Sequence, residues 1–465
     1  MRVLMLGWEF PPFITGGLGT ACYGLTKALA RHGAQVVFVL PKPIACDYAS
    51  HVRLLAPQAP RAAEGDTSPA AVASIYEVPG LESRYEHSYY VPGVIFKAVP
   101  SRIRSPYQSA GGKSHAAPGS GPGKLVTEAS ESTVPGSIGF LGASAGPAIR
   151  HASELYAGNL MQETQRYARL ALALVKGEEF DVIHAHDWMT YPAGLAIAGY
   201  SGKPLVVHVH STEFDRSGEH VNQPVYDLER RGMHGAIRII AVSHLTKSII
   251  VHRYGIDPAK VEVVYNGIDT DGHLPVVPRT AIRRGDKIVL FLGRITWQKG
   301  PEFFIRAAKK VLEKFHRVKF VMAGSGDMVQ EIIELAAAEG IGQKIIFTGF
   351  LHGPDVERVF KLADVYVMPS ISEPFGIAPL EAIRHDVPII ISKTSGVAEV
   401  ITHALKVDFW DIEDMADKII AVLRHPPLSS TLREHADMEL RSLTWDAAAA
   451  QCVSAYANAI ASMPV

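Results

Sequence analysis

The sequence predicts an α/β protein made of two Rossmann-like, doubly wound domains. Three observations carry that expectation. Apolar β-type runs alternate with helical patterns in two separate series, the signature of parallel sheets with crossover helices. The chain has 465 residues, too many for one ordinary core. Glycines and charged residues cluster just after several of the strands, where doubly wound folds bind ligands.

The first series opens with a strand at Val3 to Leu6 and a helix from Thr20 to His32. Leu25, Ala28 and Leu29 share one face of that helix, and Gly33 is its stop signal. Gln35 to Leu40 reads as a second strand, ended by Pro41. Asp181 to His184, Leu205 to His210 and Ile239 to Val242 are further β-type runs. The second series starts near Lys287, with strands at Ile288 to Leu292, Val318 to Ala323, Ile345 to Thr348, Val365 to Met368 and Pro388 to Ser392. Its first helix, Pro301 to Phe315, has proline at the start. Phe304, Ala307, Ala308, Val311, Leu312 and Phe315 form its inward stripe. The chain ends in an Ala-rich helical segment from Trp445 to Ile460.

These segments divide the chain into a first domain over 1–270, a second over 271–440 and a C-terminal helix over 441–465 that packs back on the first. The joint falls between Asn266-Gly267-Ile268-Asp269 and Asp286. Residues 101–146, rich in Gly, Ser, Ala and Pro, read as a mobile insertion within the first domain, a surface loop or a lid over the cleft.

Charge is balanced, with 46 Lys+Arg against 47 Asp+Glu and a formal net charge of -1. That balance excludes a general nucleic-acid or membrane-surface binder. The 3 cysteines, Cys22, Cys46 and Cys452, lack metal-ligand spacing and cannot make a disulfide framework, which fits a cytoplasmic, reducing location. The opening apolar run reads as a buried strand rather than a signal peptide, and no run is long enough to span a bilayer.

The most informative stretch is Ser372-Glu373-Pro374-Phe375-Gly376-Ile377-Ala378-Pro379-Leu380-Glu381-Ala382. A strand, a tight loop and a helix start meet there. Free N–H groups at such a start suit an anion or a sugar hydroxyl, and Glu381 can face the same cleft. Two carboxylates beside an anion cradle point to a phosphorylated sugar. Gly293-Arg294 and Lys299-Gly300 flank another βα turn, and their side chains can neutralise a pyrophosphate leaving group. Gly16-Gly17-Leu18-Gly19 follows the first strand. The G-x-G-x-x-G spacing fails because position 22 is Cys, and no acidic residue follows the second strand, so NAD binding is disfavoured. His184-Ala185-His186-Asp187-Trp188 and His208-Val209-His210 each end a strand. Two H-x-H pairs could hold zinc, but neither a cysteine nor a further ligand pair completes a site, so no metal is expected. His210 stands at the cleft mouth, and Asp187 holds the equivalent place one strand earlier.

With these residues the chain resembles the retaining GT-B glycosyltransferases of family 4 and their relatives, the bacterial glycogen and starch synthases. The shared features span nearly the whole chain outside the insertion. They include the glycine cluster, His-Ala-His-Asp-Trp, His210, Asn266-Gly267-Ile268-Asp269, Arg294 with Lys299, and Glu373 to Gly376 with Glu381. The resemblance implies two domains facing across a cleft. It also implies a nucleotide-sugar donor, ADP-glucose or UDP-glucose, and a carbohydrate acceptor, with no bound cofactor. By the same resemblance Glu381 holds the ribose, and Arg294 and Lys299 bind the diphosphate. Glu373 and the backbone of Gly376 and Ile377 contact the sugar, with Phe375 in the same donor-binding turn. Gly16 and Gly17 approach the phosphates, His210 lies near the sugar, and Asp187 near the sugar or the acceptor. His210, Arg294, Lys299 and Glu373 are the expected catalytic set.

The chain departs from glycogen synthases at Thr15, where they carry Lys, and at Lys393-Thr394-Ser395-Gly396, where they carry Thr-Gly-Gly. Both departures favour the broader family 4, while Trp8-Glu9-Phe10-Pro11-Pro12 with the His-Ala-His-Asp-Trp run leans towards a glucose donor and a glucan-like acceptor; a sugar phosphate, inositol phosphate or lipid headgroup is the alternative acceptor. A non-catalytic carbohydrate- or nucleotide-binding protein of the same fold is the reading from another class, and the full set of charged site residues argues against it.

Overall fold

The computed structural model describes residues 1–10, 17–41, 53–55, 94–98, 160–269 and 285–463. The expected insertion at 101–146, together with Gly16, Thr15 and Cys46, lies outside them. Most of the expected joint, from 270 to 284, does too.

Two parallel sheets organise the chain. Among the described residues the first has eight strands in the order β3-β4-β2-β1-β5-β6-β7-β8. They are β1 (Arg2–Leu6), β2 (Gln35–Leu40), β3 (Arg53–Leu55), β4 (Val94–Ala98), β5 (Val182–His186), β6 (Leu205–Val209), β7 (Arg238–Ala241) and β8 (Val261–Val263). The second has six, in the order β11-β10-β9-β12-β13-β14. They are β9 (Lys287–Leu292), β10 (Val318–Ala323), β11 (Ile345–Gly349), β12 (Val365–Met368), β13 (Ile389–Ser392) and β14 (Leu405–Val407). Every ladder is parallel, so all strand ends that carry ligand turns lie on one edge of each sheet.

Both faces of each sheet are buried, and the two-residue period of a strand sorts its side chains between them. In β1, Leu4 and Leu6 join one core, while Val3 and Met5 join the other. In β9, Val289 and Phe291 face one core of the second domain and Leu290 the other. The helix Pro301–Lys314 buries Phe304, Ile305, Ala307, Ala308 and Val311. Leu312 and Phe315, expected in its inward stripe, are only partly covered and pack at the edge of that core.

The C-terminal helix Trp445–Ala461 closes the first domain rather than the second. Its alanine-rich face, with Cys452 and Tyr456, enters the core that also holds the helix Gly17–Arg31. The two helices approach so closely that a Cβ on Gly24 would lie 2.2 Å from the Trp445 ring. Arg31 forks onto Asp446 at 2.9 and 2.8 Å. The returning chain runs beside the outgoing one, with Ile268 N donating to Leu443 O at 2.9 Å. The chain therefore crosses between domains twice in the same place. Among the described residues no helix is long and apolar enough to cross a membrane.

Candidate active site

A cavity of about 320 Å³ opens where the carboxyl edges of the two sheets meet. The second domain supplies most of its wall, including Leu292, Arg294, Lys299, Glu373, Gly376, Ile377 and Glu381. The first domain supplies Gly17, Leu18, Thr20, His210, Ser211 and Asn266. Apart from Asp187, and from Gly16 outside the described residues, the expected residues from both halves of the sequence are thus brought to one place. Phe350, Leu351 and Val356 also line it. Nothing in their local sequence separates them from ordinary core residues.

Backbone straps fix the basic side chains. The segment after β9 is tied to the segment after β10, with Ile295 N donating to Ser325 O at 2.9 Å. This holds Arg294 at the rim. Lys299 ends the short turn Trp297–Lys299, and Gly300 follows in the left-handed region at φ 61. A Cβ there would lie 2.2 Å from Pro369 O, so only glycine lets this turn sit against the end of β12. Lys299 Nζ donates to Glu373 Oε2, and Ser370 Oγ donates to the same oxygen at 3.3 Å. Glu373 is nearly buried, at 6% exposure, and the pairing with Lys299 is what makes that burial tolerable.

The Glu373 turn is itself strapped from below. Glu373 N donates to Thr394 O at 3.0 Å, Gly396 N to Glu373 O at 2.9 Å and Val397 N to Phe375 O at 2.7 Å. The Lys393-Thr394-Ser395-Gly396 segment, read from sequence only as a departure, is therefore the platform of the site. Gly376, at φ 101, turns the chain into the helix Ile377–Arg384. The start of that helix faces the start of Gly17–Arg31, with Ile377 Cδ1 3.9 Å from the point where a Gly17 Cβ would sit. Two helix N-termini thus converge on one cavity, and both favour an anion there. Phe375 is buried, 5.9 Å from the Tyr265 ring, and stiffens the turn from the core side. Burial holds the Glu381 carboxyl above its ordinary range, only partly offset by Arg384.

On the first-domain side, His184 and His186 of β5 and His208 and His210 at the end of β6 form one stack. Ring centroids lie 4.2 Å apart for His184–His186, 4.1 Å for His208–His210 and 5.2 Å for His186–His208. Burial holds the rings of His184 and His210 at about 3 and keeps His186 and His208 well below 6.5. His184 Nδ1 meets Tyr456 Oη at 2.6 Å, and His186 Nδ1 meets His210 Nε2 at 2.9 Å. The ligand atoms of His184, His186 and His208 lie within 4.8 Å of one another. The rings are nearly parallel, however, with planes 10° to 30° apart. Lone pairs in stacked planes do not converge on one ion, and the arrangement reads as a packed polar core.

Asp187 lies behind the cavity wall. Its Oδ1 accepts from His210 N at 2.7 Å and Ser211 N at 3.4 Å, and the residue is 3% exposed. The family resemblance puts it near the sugar or the acceptor. In the structure its carboxylate grips the backbone of His210. The domains also touch through Glu399, whose carboxylate accepts from His244 N at 2.9 Å and Leu245 N at 2.7 Å, and through Ser372, which donates to Asp215 at 2.6 Å. Neither contact had a signal in the sequence, since each joins residues more than 150 positions apart.

Two parallel-sheet domains that close over basic side chains and paired helix starts define a group-transfer enzyme of the GT-B type. Three family models tile the chain: the starch synthase catalytic domain over 2–93, Glycosyltransferase Family 4 over 144–272 and Glycosyl transferases group 1 over 277–438. A D-inositol 3-phosphate glycosyltransferase of Kribbella flavida is 30% identical over 307 residues, covering 61% of this chain and 72% of that protein. A glycogen synthase of Mycobacterium tuberculosis is 24% identical over 464 residues, covering 98% and 94%. The solved sucrose-phosphate synthase of Thermosynechococcus elongatus shares the fold, with a TM-score of 0.68 and 17% identity over 99% of each chain. The chain belongs to the GT-B glycosyltransferases related to the glycogen and starch synthases.

Proposed function

We propose that the protein transfers a hexose, glucose from ADP-glucose or UDP-glucose, to an α-glucan or related carbohydrate acceptor with retention at the anomeric carbon. The observation that carries this reading is the shared cavity. Arg294 and the Lys299–Glu373 pair from one domain meet His210 and the Gly17 helix start from the other. Arg294, Lys299 and the two helix starts neutralise the diphosphate as it leaves, so the reading needs no metal at that point. Glu381 holds the ribose hydroxyls. Glu373, with the amides at Gly376 and Ile377, contacts the sugar, and His210 faces it from the opposite domain. The acceptor hydroxyl attacks on the face from which the diphosphate departs, and a diphosphate oxygen takes its proton. Closure of the cleft keeps water from the donor.

A second acceptor class, a small phosphorylated polyol or sugar phosphate, is favoured by the 30% match to an inositol-phosphate transferase. One assay separates the two. Nucleoside diphosphate release from ADP-glucose and UDP-glucose is measured alone, with glycogen and with inositol 3-phosphate. The glucan reading expects release that depends on glycogen. Release only with the inositol phosphate supports the second, and inertness towards every activated sugar refutes both.

A further inference from the structure

We infer that His186 fixes the tautomer of His210, so that His210 presents an Nδ1–H donor to the cleft and is a hydrogen-bond donor rather than a proton acceptor. The inference deepens the transfer reading above and rests on it for its functional half.

β5 and β6 are neighbours, and His186 pairs with His208 in the ladder. His186 and His210 therefore project from the same sheet face, and one hydrogen bond joins His186 Nδ1 to His210 Nε2 at 2.9 Å. Both rings are neutral, so a single proton lies between these two nitrogens. The far side of His186 decides which ring carries it. His186 Nε2 is buried and has no partner among the described residues. If His210 donated from Nε2, neutral His186 would carry its own proton on Nε2, as a buried N–H with no acceptor. If His186 donates from Nδ1, only a bare lone pair is left there. Buried orphan N–H groups are the rarer defect. The proton therefore belongs to His186 Nδ1. His210 then keeps its own proton on Nδ1, on a ring whose residue lines the cavity.

The backbone is held by the next residue. Asp187 adopts φ 59, and its carboxylate accepts the His210 amide at 2.7 Å. Thr190 fixes this corner, donating from Oγ1 to His186 O at 2.9 Å and from N to Asp187 O at 3.0 Å. Two adjacent residues thus seat His210 at its ring and at its backbone. Both are positioning residues, and neither lines the cavity. A ring whose tautomer is set by a second hydrogen bond is the usual way histidine is given one role.

The test is nitrogen NMR of the full chain labelled with ¹⁵N-histidine at neutral pH. The His210 signals are assigned by their loss in His210→Asn. The expected spectrum shows a protonated Nδ1 and a bare Nε2 that accepts from His186, and His186→Phe shifts the His210 Nε2 resonance by removing that donor. In donor assays His186→Phe lowers kcat by about 10- to 100-fold, with KM and nucleoside diphosphate affinity unchanged. His186→Asn, whose amide nitrogen replaces the Nδ1 donor, recovers most of the loss. A protonated Nε2 in the unsubstituted protein overturns the inference, even if His186→Phe does not fold. So does a His210 spectrum that His186→Phe leaves unchanged. A chain inert to all donors would strike the transfer reading, while the spectra would still decide the tautomer.

Discussion

Lys299 and Glu373 form an ion pair at the floor of the cleft, with the ammonium on Oε2 of a carboxylate that is almost fully covered. Neither residue can be changed without altering the other. Lys299→Met leaves Glu373 buried without its cation, which costs about 3–5 kcal/mol of stability when such a pair is broken. The joint variant Lys299→Met with Glu373→Leu regains most of that stability and no turnover. A double-mutant cycle in urea, run beside nucleotide release, separates the two effects.

Gly300→Ala tests the turn that carries Lys299. The left-handed backbone and the Pro369 carbonyl 2.2 Å from any Cβ force the turn or the end of β12 to move. A loss of about 1–3 kcal/mol is expected from such overpacking. A fall in kcat/KM larger than the stability loss explains is expected as well, because Lys299 and Ser370 both shift. Melting curves and donor kinetics on the same preparation check it.

The histidine stack sets an acid limit. His184 and His210 have folded-state values of about 3 against 6.5 when exposed, and His186 and His208 shift the same way. Above 6.5 neither the folded nor the unfolded chain binds these protons, so stability does not depend on them. Below 6.5 the unfolded chain takes protons that the folded chain refuses. Stability then falls by about 1.4 kcal/mol per pH unit for each such group. Denaturation midpoints measured between pH 7 and pH 5 should drop steeply. His184→Phe paired with Tyr456→Phe should reduce the slope.

Tyr456→Phe alone probes how the C-terminal helix is locked. It removes the hydroxyl that meets His184 Nδ1 at 2.6 Å and leaves that buried nitrogen unsatisfied. A loss of about 1–3 kcal/mol is expected, with donor affinity unchanged. Chemical denaturation and nucleotide titration check the two halves.

Much of this arrangement was legible in the sequence, and the reasons are local. The unbroken apolar runs Val3 to Leu6 and Ile288 to Leu292 report two-sided burial, so the sheets could be read directly. Gly376 before a helical pattern marks a turn and a helix start whatever surrounds them. What could not be read depends on residues far apart in the chain. The Lys299–Glu373 pair spans 74 positions, the Tyr456–His184 bond 272 and the Glu399 cap on His244 155. Asp187 shows the limit most clearly. Its place after a strand put it level with His210, and its left-handed backbone turns the carboxylate onto the amides of His210 and Ser211. Periodicity carries no information about that rotation.

The central claim is that second-domain cations hold a sugar nucleotide's diphosphate, and Arg294→Ala addresses it most directly. Titration of UDP and ADP into the unsubstituted protein and the variant, followed by nucleotide release, should show binding weakened and kcat/KM reduced by about 10²–10³, with the melting temperature retained. A variant that binds and turns over the donor as well as the unsubstituted protein would contradict the account.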